Sequence, residues 1–203
     1  MIWLFFDIGS TLIDETVCYE KRFREISTAA AVSYDTIYET ALALYKKGEK
    51  GDHTCAKQYD TALPKWHHEL ETPYADAIDT VRCLKARGYR LGIIANQGLG
   101  TEDRLRRFGL HSFFDVILSS AEEGISKPDP AIFLRALDRA CCKPQDAYMI
   151  GDRLDNDIVP AKALGMRTVR ILQGFGKYAI PRSDAETPDM AVTSLSDLLQ
   201  IFP

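Results

Sequence analysis

Apolar residues in this chain gather in short runs, each closed by a polar residue or glycine, with stretches of helical spacing between them. The opening Met1-Ile2-Trp3-Leu4-Phe5-Phe6 ends at Asp7, and similar runs recur at residues 90–95, 114–119, 147–151 and 167–172. Runs of this length bounded by turn residues predict short buried strands. Residues 74–87, 101–108, 130–142 and 156–164 carry helical periodicity, and three of these segments are followed by Gly88, Gly109 and Gly165, where a left-handed C-cap is needed. Residues 193–202 read as a last turn and helix, with Ser194 or Ser196 as its cap. Strands alternating with helices pair in parallel through right-handed crossovers. The expected fold is therefore α/β, a doubly wound parallel sheet with its chemistry at the carboxyl ends of the strands.

Residues 15–72 interrupt the alternation with helix-like spacing, notably over 34–47, and no convincing strand. This segment is expected to be a helical insert lying over the strand ends. Gly48 and Gly51 divide it, and Asp52-His53-Thr54 are candidate caps for the stretch after them. The domain expectation is a core made of residues 1–14 and 73–203, with residues 15–72 as a separate helical cap. Tyr19, Phe23, Tyr34, Tyr38, Tyr45, Tyr59 and Trp66 in the insert are expected to pack helices, and His67-His68, pointing to different helix faces, to serve surface or packing roles.

Composition narrows the function classes. The 203 residues are 46% hydrophobic, enough to offset the ordering entropy of a folded chain, so disorder is excluded. A net charge of −4 with scattered basic residues gives no field for a polyanion, so nucleic acid is not the expected partner. No apolar run approaches the ~20 residues of a membrane span, and no basic leader precedes the first strand, so a cytoplasmic protein with no membrane partner is expected. Cys18, Cys55, Cys83, Cys141 and Cys142 form no Cys-x-x-Cys pair and are expected to be thiols. No feature specifies an oligomeric state.

The candidate chemistry lies at the predicted strand ends. Asp7-Ile8-Gly9-Ser10-Thr11 places an acid where a strand gives way to a turn, suited to a nucleophile or a metal ligand. Ala95-Asn96-Gln97-Gly98 is a polar turn able to present backbone donors to an anion, and Lys127 stands before the stiff Pro128-Asp129-Pro130. Gly151-Asp152-Arg153-Leu154-Asp155-Asn156-Asp157 puts three carboxylates in one turn, where like charges call for a cation. A hard divalent ion such as magnesium, which also engages phosphate oxygens, meets that need.

With these motifs in this order, the sequence resembles the haloacid dehalogenase superfamily of hydrolases. Asp7 with Thr11, the strand ending at Asn96, Lys127, and Gly151-Asp152 with Asp157 look like its four motifs, and the insert looks like its small helical cap on a Rossmann-like core. The resemblance implies Asp7 as nucleophile forming an aspartyl phosphate and Lys127 as charge stabiliser. It further implies Asn96, Gly98 and Lys127 around the phosphate, and Mg2+ held by Asp7, the Gly9 carbonyl, Asp152 and Asp157. The implied reaction is phosphatase or phosphotransferase chemistry on a small phosphorylated metabolite, and no motif in the insert specifies which one.

Two departures bear on mechanism. The family usually has a second Asp two residues after the nucleophile as general acid and base, where this chain has Gly9, and Ser or Thr where it has Ala95. Loss of a positioned acid or base typically costs about 10²–10⁴-fold in rate, so slow turnover is expected unless a water, Asp14, Glu15 or His53 substitutes. A noncatalytic binding or regulatory protein is the alternative reading, and a 2-haloacid dehalogenase the third. The latter is disfavoured because dehalogenases usually carry an aromatic residue at position 9 and lack the Gly-Asp pair represented here by Asp152.

Overall fold

The computed structural model describes residues 1–203. The chain starts with β1 (Trp3–Phe6) and a two-residue strand β2 (Ile13–Asp14), followed by α1 (Thr16–Ala30), α2 (Tyr34–Lys46) and α3 (Gly51–Gln58). A second two-residue strand, β3 (Thr72–Pro73), pairs antiparallel with β2, so the helical excursion leaves and rejoins the body through adjacent strands. Then come α4 (Ala77–Ala86), β4 (Arg90–Ala95), α5 (Thr101–Arg107), β5 (Val116–Ser119), α6 (Ser120–Glu123) and α7 (Pro130–Arg139). The chain closes with β6 (Ala147–Gly151), α8 (Val159–Ala163), β7 (Arg167–Ile171), β8 (Met190–Val192) and α9 (Leu198–Ile201).

Six strands form one parallel sheet in the order β5-β4-β1-β6-β7-β8, with β1 between β4 and β6. The doubly wound architecture read from the sequence is the one observed. Alternation along each strand sorts side chains to two faces. Leu4, Phe6, Ile93 and Ile150 pack on the face covered by Ala77, Val81 and Leu84 of α4 and by Leu198 of α9. Trp3, Phe5, Ile94 and Met149 pack on the other, with Ile132, Phe133 and Ala136 of α7 and Ala161 of α8. Gly92 lies opposite Phe5 in the β1–β4 register, and a Cβ there would fall 2.5 Å from the Phe5 ring, so this position makes room for the aromatic.

Several local expectations need correction. Residues 156–164 were expected to form one helix, but the segment starts with a π-helical turn over Leu154–Ile158 before α8, because Asp157 folds inward and its Oδ2 accepts the Arg153 N–H at 3.0 Å. Asp52 caps nothing; it lies inside α3 and accepts from Arg22. The cap of α9 is Asp197 rather than Ser194 or Ser196, and its carboxylate accepts from the Thr193 and Ser194 N–H groups. β2, β3 and β8 were not foreseen.

The three helices of the excursion build a small cluster of their own from Phe23, Ile26, Ile37, Ala41, Leu44 and Tyr45. Phe175, from the loop after β7, inserts its ring among Tyr19, Phe23, Tyr38 and Tyr45, with centroid distances of 5.0, 5.5, 6.0 and 4.8 Å. The helices are thus packed against the body through one of its aromatic residues. All five cysteines are free thiols; Cys141 is exposed, while the half-buried Cys142 packs against the edge of the second core cluster. No helix is long and apolar enough to cross a membrane.

Candidate active site

Asp7 follows directly on β1, its N–H still donating to the Ile150 carbonyl at 2.9 Å, so the sheet fixes its backbone while its side chain leaves the strand end. Asp152 occupies the equivalent place after β6, next door. The π-helical turn then brings Asp157 back toward both, and ligand oxygens of Asp7, Asp152 and Asp157 lie within 4.8 Å of one another. Asp155, the third acid of that turn in the sequence, faces outward instead and pairs with Arg153 at 2.6 Å. The acidic trio therefore draws one member from β1.

Lys127 is the counter-charge. Its ammonium donates to Asp7 Oδ1 at 2.7 Å and to Asp157 Oδ1 at 2.6 Å, with the side chain 2% exposed. Asn96 holds it in place through its backbone: the Lys127 N–H donates to Asn96 Oδ1 and the Asn96 Nδ2 donates to the Lys127 carbonyl, both at 2.8 Å. The Asn96 amide is thus engaged in positioning Lys127. The Gln97 N–H, expected to face an anion, donates to Ser120 Oγ at 3.0 Å. Thr11 Oγ1 is buried without a partner.

Three carboxylates around one ammonium leave an excess of negative charge in a buried place. Burial, reinforced by Asp157 and Asp7, raises the Asp152 carboxyl well above the usual range. Burial likewise raises Asp157 to about 6 against the pull of Lys127. Burial opposes the charge on Lys127, yet Asp157 and Asp7 outweigh it and hold the ammonium above an ordinary lysine. A trio of oxygen donors that destabilise one another's charge fits a hard divalent cation.

Asp7, Gly9, Asn96, Gly98, Lys127, Asp152 and Asp157 all line one cavity of about 350 Å³. Only four of its 22 lining residues are hydrophobic, which suits a small charged ligand better than an apolar one. The excursion supplies part of the wall: Tyr19 and Arg22 from α1, Tyr45 from α2, Asp52 and His53 from α3, and Trp66. Arg22 donates to Asp52 Oδ2 at 2.6 Å and sits 4.5 Å over the Trp66 ring, and Tyr45 donates to Asp52 Oδ1 at 3.0 Å. The aromatics expected only to pack helices thus include three that also face the cavity. Sequence reasoning did not single out Arg22 or Asp52 as a pair; the available signal was an arginine spaced four residues from Cys18 and from Ile26 on the buried face of α1. His68 reaches the cavity, while His67 bridges Glu25 and Glu69 outside it.

Glu15 also faces this cavity, although it belongs to the junction between β2 and α1. It accepts from Ser10 Oγ at 3.1 Å, and its Oε1 stands 4.0 Å from the Arg104 guanidinium. Burial pushes its carboxyl up to about 8 against the pull of Arg104, with Asp7 and Glu71 adding to the rise.

Comparison with known proteins places this arrangement in context. The sequence profile described as haloacid dehalogenase-like hydrolase matches residues 4–171. A glyceraldehyde 3-phosphate phosphatase of Pyrococcus furiosus is 31% identical over 98% of this chain and 92% of its own length. A glyceraldehyde 3-phosphate phosphatase of Methanopyrus kandleri is 40% identical over 64% of this chain; the match spans 56% of that relative, little more than half its length. Among solved structures, a phosphatase from Thermococcus onnurineus superposes with a TM-score of 0.66 at 27% identity, covering 99% of this chain and 97% of that one.

Proposed function

Because this chain belongs to the haloacid dehalogenase-like hydrolase family, we propose that it is a magnesium-dependent phosphatase of a small phosphorylated metabolite, working through an aspartyl phosphate on Asp7. The observation that carries this reading is the convergence of Asp7, Asp152 and Asp157 in a small polar cavity, where Asp7 and Asp157 share the Lys127 ammonium. Carbon–halogen hydrolysis has no use for a buried trio of acids, whereas a phosphate bound beside a divalent ion does.

In this reading Lys127 holds Asp7 Oδ1, which leaves the other carboxylate oxygen to attack phosphorus, and the same ammonium offsets the negative charge that gathers there. Asp157 steadies Lys127 from the far side, and Asn96 fixes its backbone. Asp7, the Gly9 carbonyl, Asp152 and Asp157 would hold magnesium. When bound, it neutralises the excess acid charge so that a phosphate dianion is tolerated beside the trio. Water then hydrolyses the phosphoenzyme and frees Asp7. Residues 15–72 act as a cap that walls the cavity and selects the rest of the substrate, while the nucleophile Asp7, Lys127 and the groups that would hold magnesium belong to residues 1–14 and 73–203.

A panel of phosphate esters with magnesium tests the proposal, with glyceraldehyde 3-phosphate and pyrophosphate among them and Asp7→Asn as the blank. Release of inorganic phosphate that disappears in the blank is the expected result. No release from any ester by the wild-type protein would overturn it.

A further inference from the structure

Position 9 lacks a side chain, but the space in front of it is not vacant. A Cβ placed on Gly9 falls 2.6 Å from Glu15 Oε1, 2.8 Å from Oε2 and 2.9 Å from Cδ. Those separations are shorter than real side chains permit, so the Glu15 carboxyl stands where the first atoms of a residue-9 side chain would be. It is presented to the same cavity as Asp7 and Lys127. Ser10 Oγ fixes one of its oxygens at 3.1 Å, and the buried Arg104 guanidinium, whose Nη2 has no hydrogen-bond partner, faces the other at 4.0 Å. Nothing else donates to the Glu15 side chain, so it keeps capacity to give and take a proton on the cavity side.

We propose that Glu15 is the catalytic general acid and base of this enzyme, its carboxyl delivered from the cap junction into the place left open by Gly9. This rests on the phosphatase reading and completes it. In the first step an Asp7 oxygen forms a bond to phosphorus, the ester P–O bond breaks, and its electron pair leaves on the alkoxide, which takes the Glu15 proton. In the second, the Glu15 carboxylate takes a proton from water as the water oxygen attacks phosphorus. The P–O bond to Asp7 breaks, inorganic phosphate departs, and Glu15 is again protonated. Glu15 immediately precedes α1, at the junction where the helical excursion leaves the body.

The structure also dictates a reciprocal exchange. Gly9→Asp alone forces the Glu15 carboxyl aside, whereas Gly9→Asp combined with Glu15→Ala moves the carboxyl from one backbone position to the other. The test is rapid-quench and steady-state kinetics with p-nitrophenyl phosphate and magnesium, whose weakly basic leaving group needs no acid in the first step. Glu15→Gln should still release close to one equivalent of p-nitrophenol in a burst, then turn over about 10²–10⁴-fold more slowly than wild type. The double variant should regain much of the lost turnover, which a merely structural role for Glu15 does not explain. Wild-type turnover that Glu15→Gln leaves within about threefold, or that the double variant fails to recover, overturns the assignment of Glu15 while sparing the phosphatase. A wild-type protein that neither bursts nor turns over overturns both.

Discussion

Lys127→Met removes the cation that Asp7 and Asp157 share. The ammonium bonds Asp7 and Asp157 at 2.7 and 2.6 Å, and breaking a buried pair by deleting one partner costs roughly 3–5 kcal/mol. That loss should depend on pH in a particular direction. Asp157 titrates near 6 with Lys127 beside it, above its unfolded value, so the folded state holds this proton longer than the unfolded chain does. Its stabilising contribution is present below about pH 4 and is lost as pH rises through 6. Without Lys127 the Asp157 carboxyl moves higher still, and the folded variant keeps a proton that folded wild type has released. The destabilisation then grows by about 1.4 kcal/mol for each pH unit above 6, or roughly 2 kcal/mol between pH 6 and 7.5. Urea unfolding followed by tryptophan fluorescence, with EDTA at both pH values, measures it. Adding magnesium at pH 7.5 should recover part of the loss. A difference below about 1 kcal/mol, or one that is equal at the two pH values, would refute the view that Lys127 balances buried charge.

Two further outcomes are expected. Calorimetric titration should show magnesium binding to the wild-type protein and clearly weaker binding to Asp152→Asn, and equal binding would mean that the ion is held elsewhere. Phe175→Ala should weaken the seating of the helical excursion by roughly 1–2 kcal/mol, seen as hydrogen exchange about 5–30-fold faster in α1 to α3 and unchanged in β1 and β6; a uniform rise along the chain would show that Phe175 instead supports the whole fold.

The sheet was legible because each long strand is an apolar run with a polar or glycine stop, a pattern that depends only on neighbours in sequence. β8 escaped notice because three residues, Met190–Val192, with an exposed alanine in the middle, become a strand only through pairing with β7. The two-residue strands β2 and β3 likewise exist only because the ends of the excursion meet. In the site, Asp7 and Asp152 could be read from their places directly after β1 and β6, and Lys127 from its place before Pro128-Asp129-Pro130. Spacing alone did not separate Asp155 from Asp157, and the choice of Asp157 came from the family resemblance, since the π-helical turn that faces one inward and the other to solvent is not encoded by neighbours in sequence. Glu15 stood in the sequence as one of several possible substitutes for the missing acid. What distinguishes it from Asp14 or His53 is a close approach to Gly9 across the turn, which no spacing rule encodes.

The place of β1 in the sheet has a consequence for synthesis. Trp3 pairs with Arg90 on one side and with Ala147 on the other, so β1 waits through more of the chain for its second neighbour than any other inner strand of the sheet. At the usual ~5–20 residues per second, the Trp-Leu-Phe-Phe segment waits many seconds with its edges unpaired. Through that interval it is the stretch of the nascent chain most open to aggregation and most in need of a chaperone's cover. The strand that leads into Asp7 is thus buried along its whole length in the finished molecule and uncovered through much of its making.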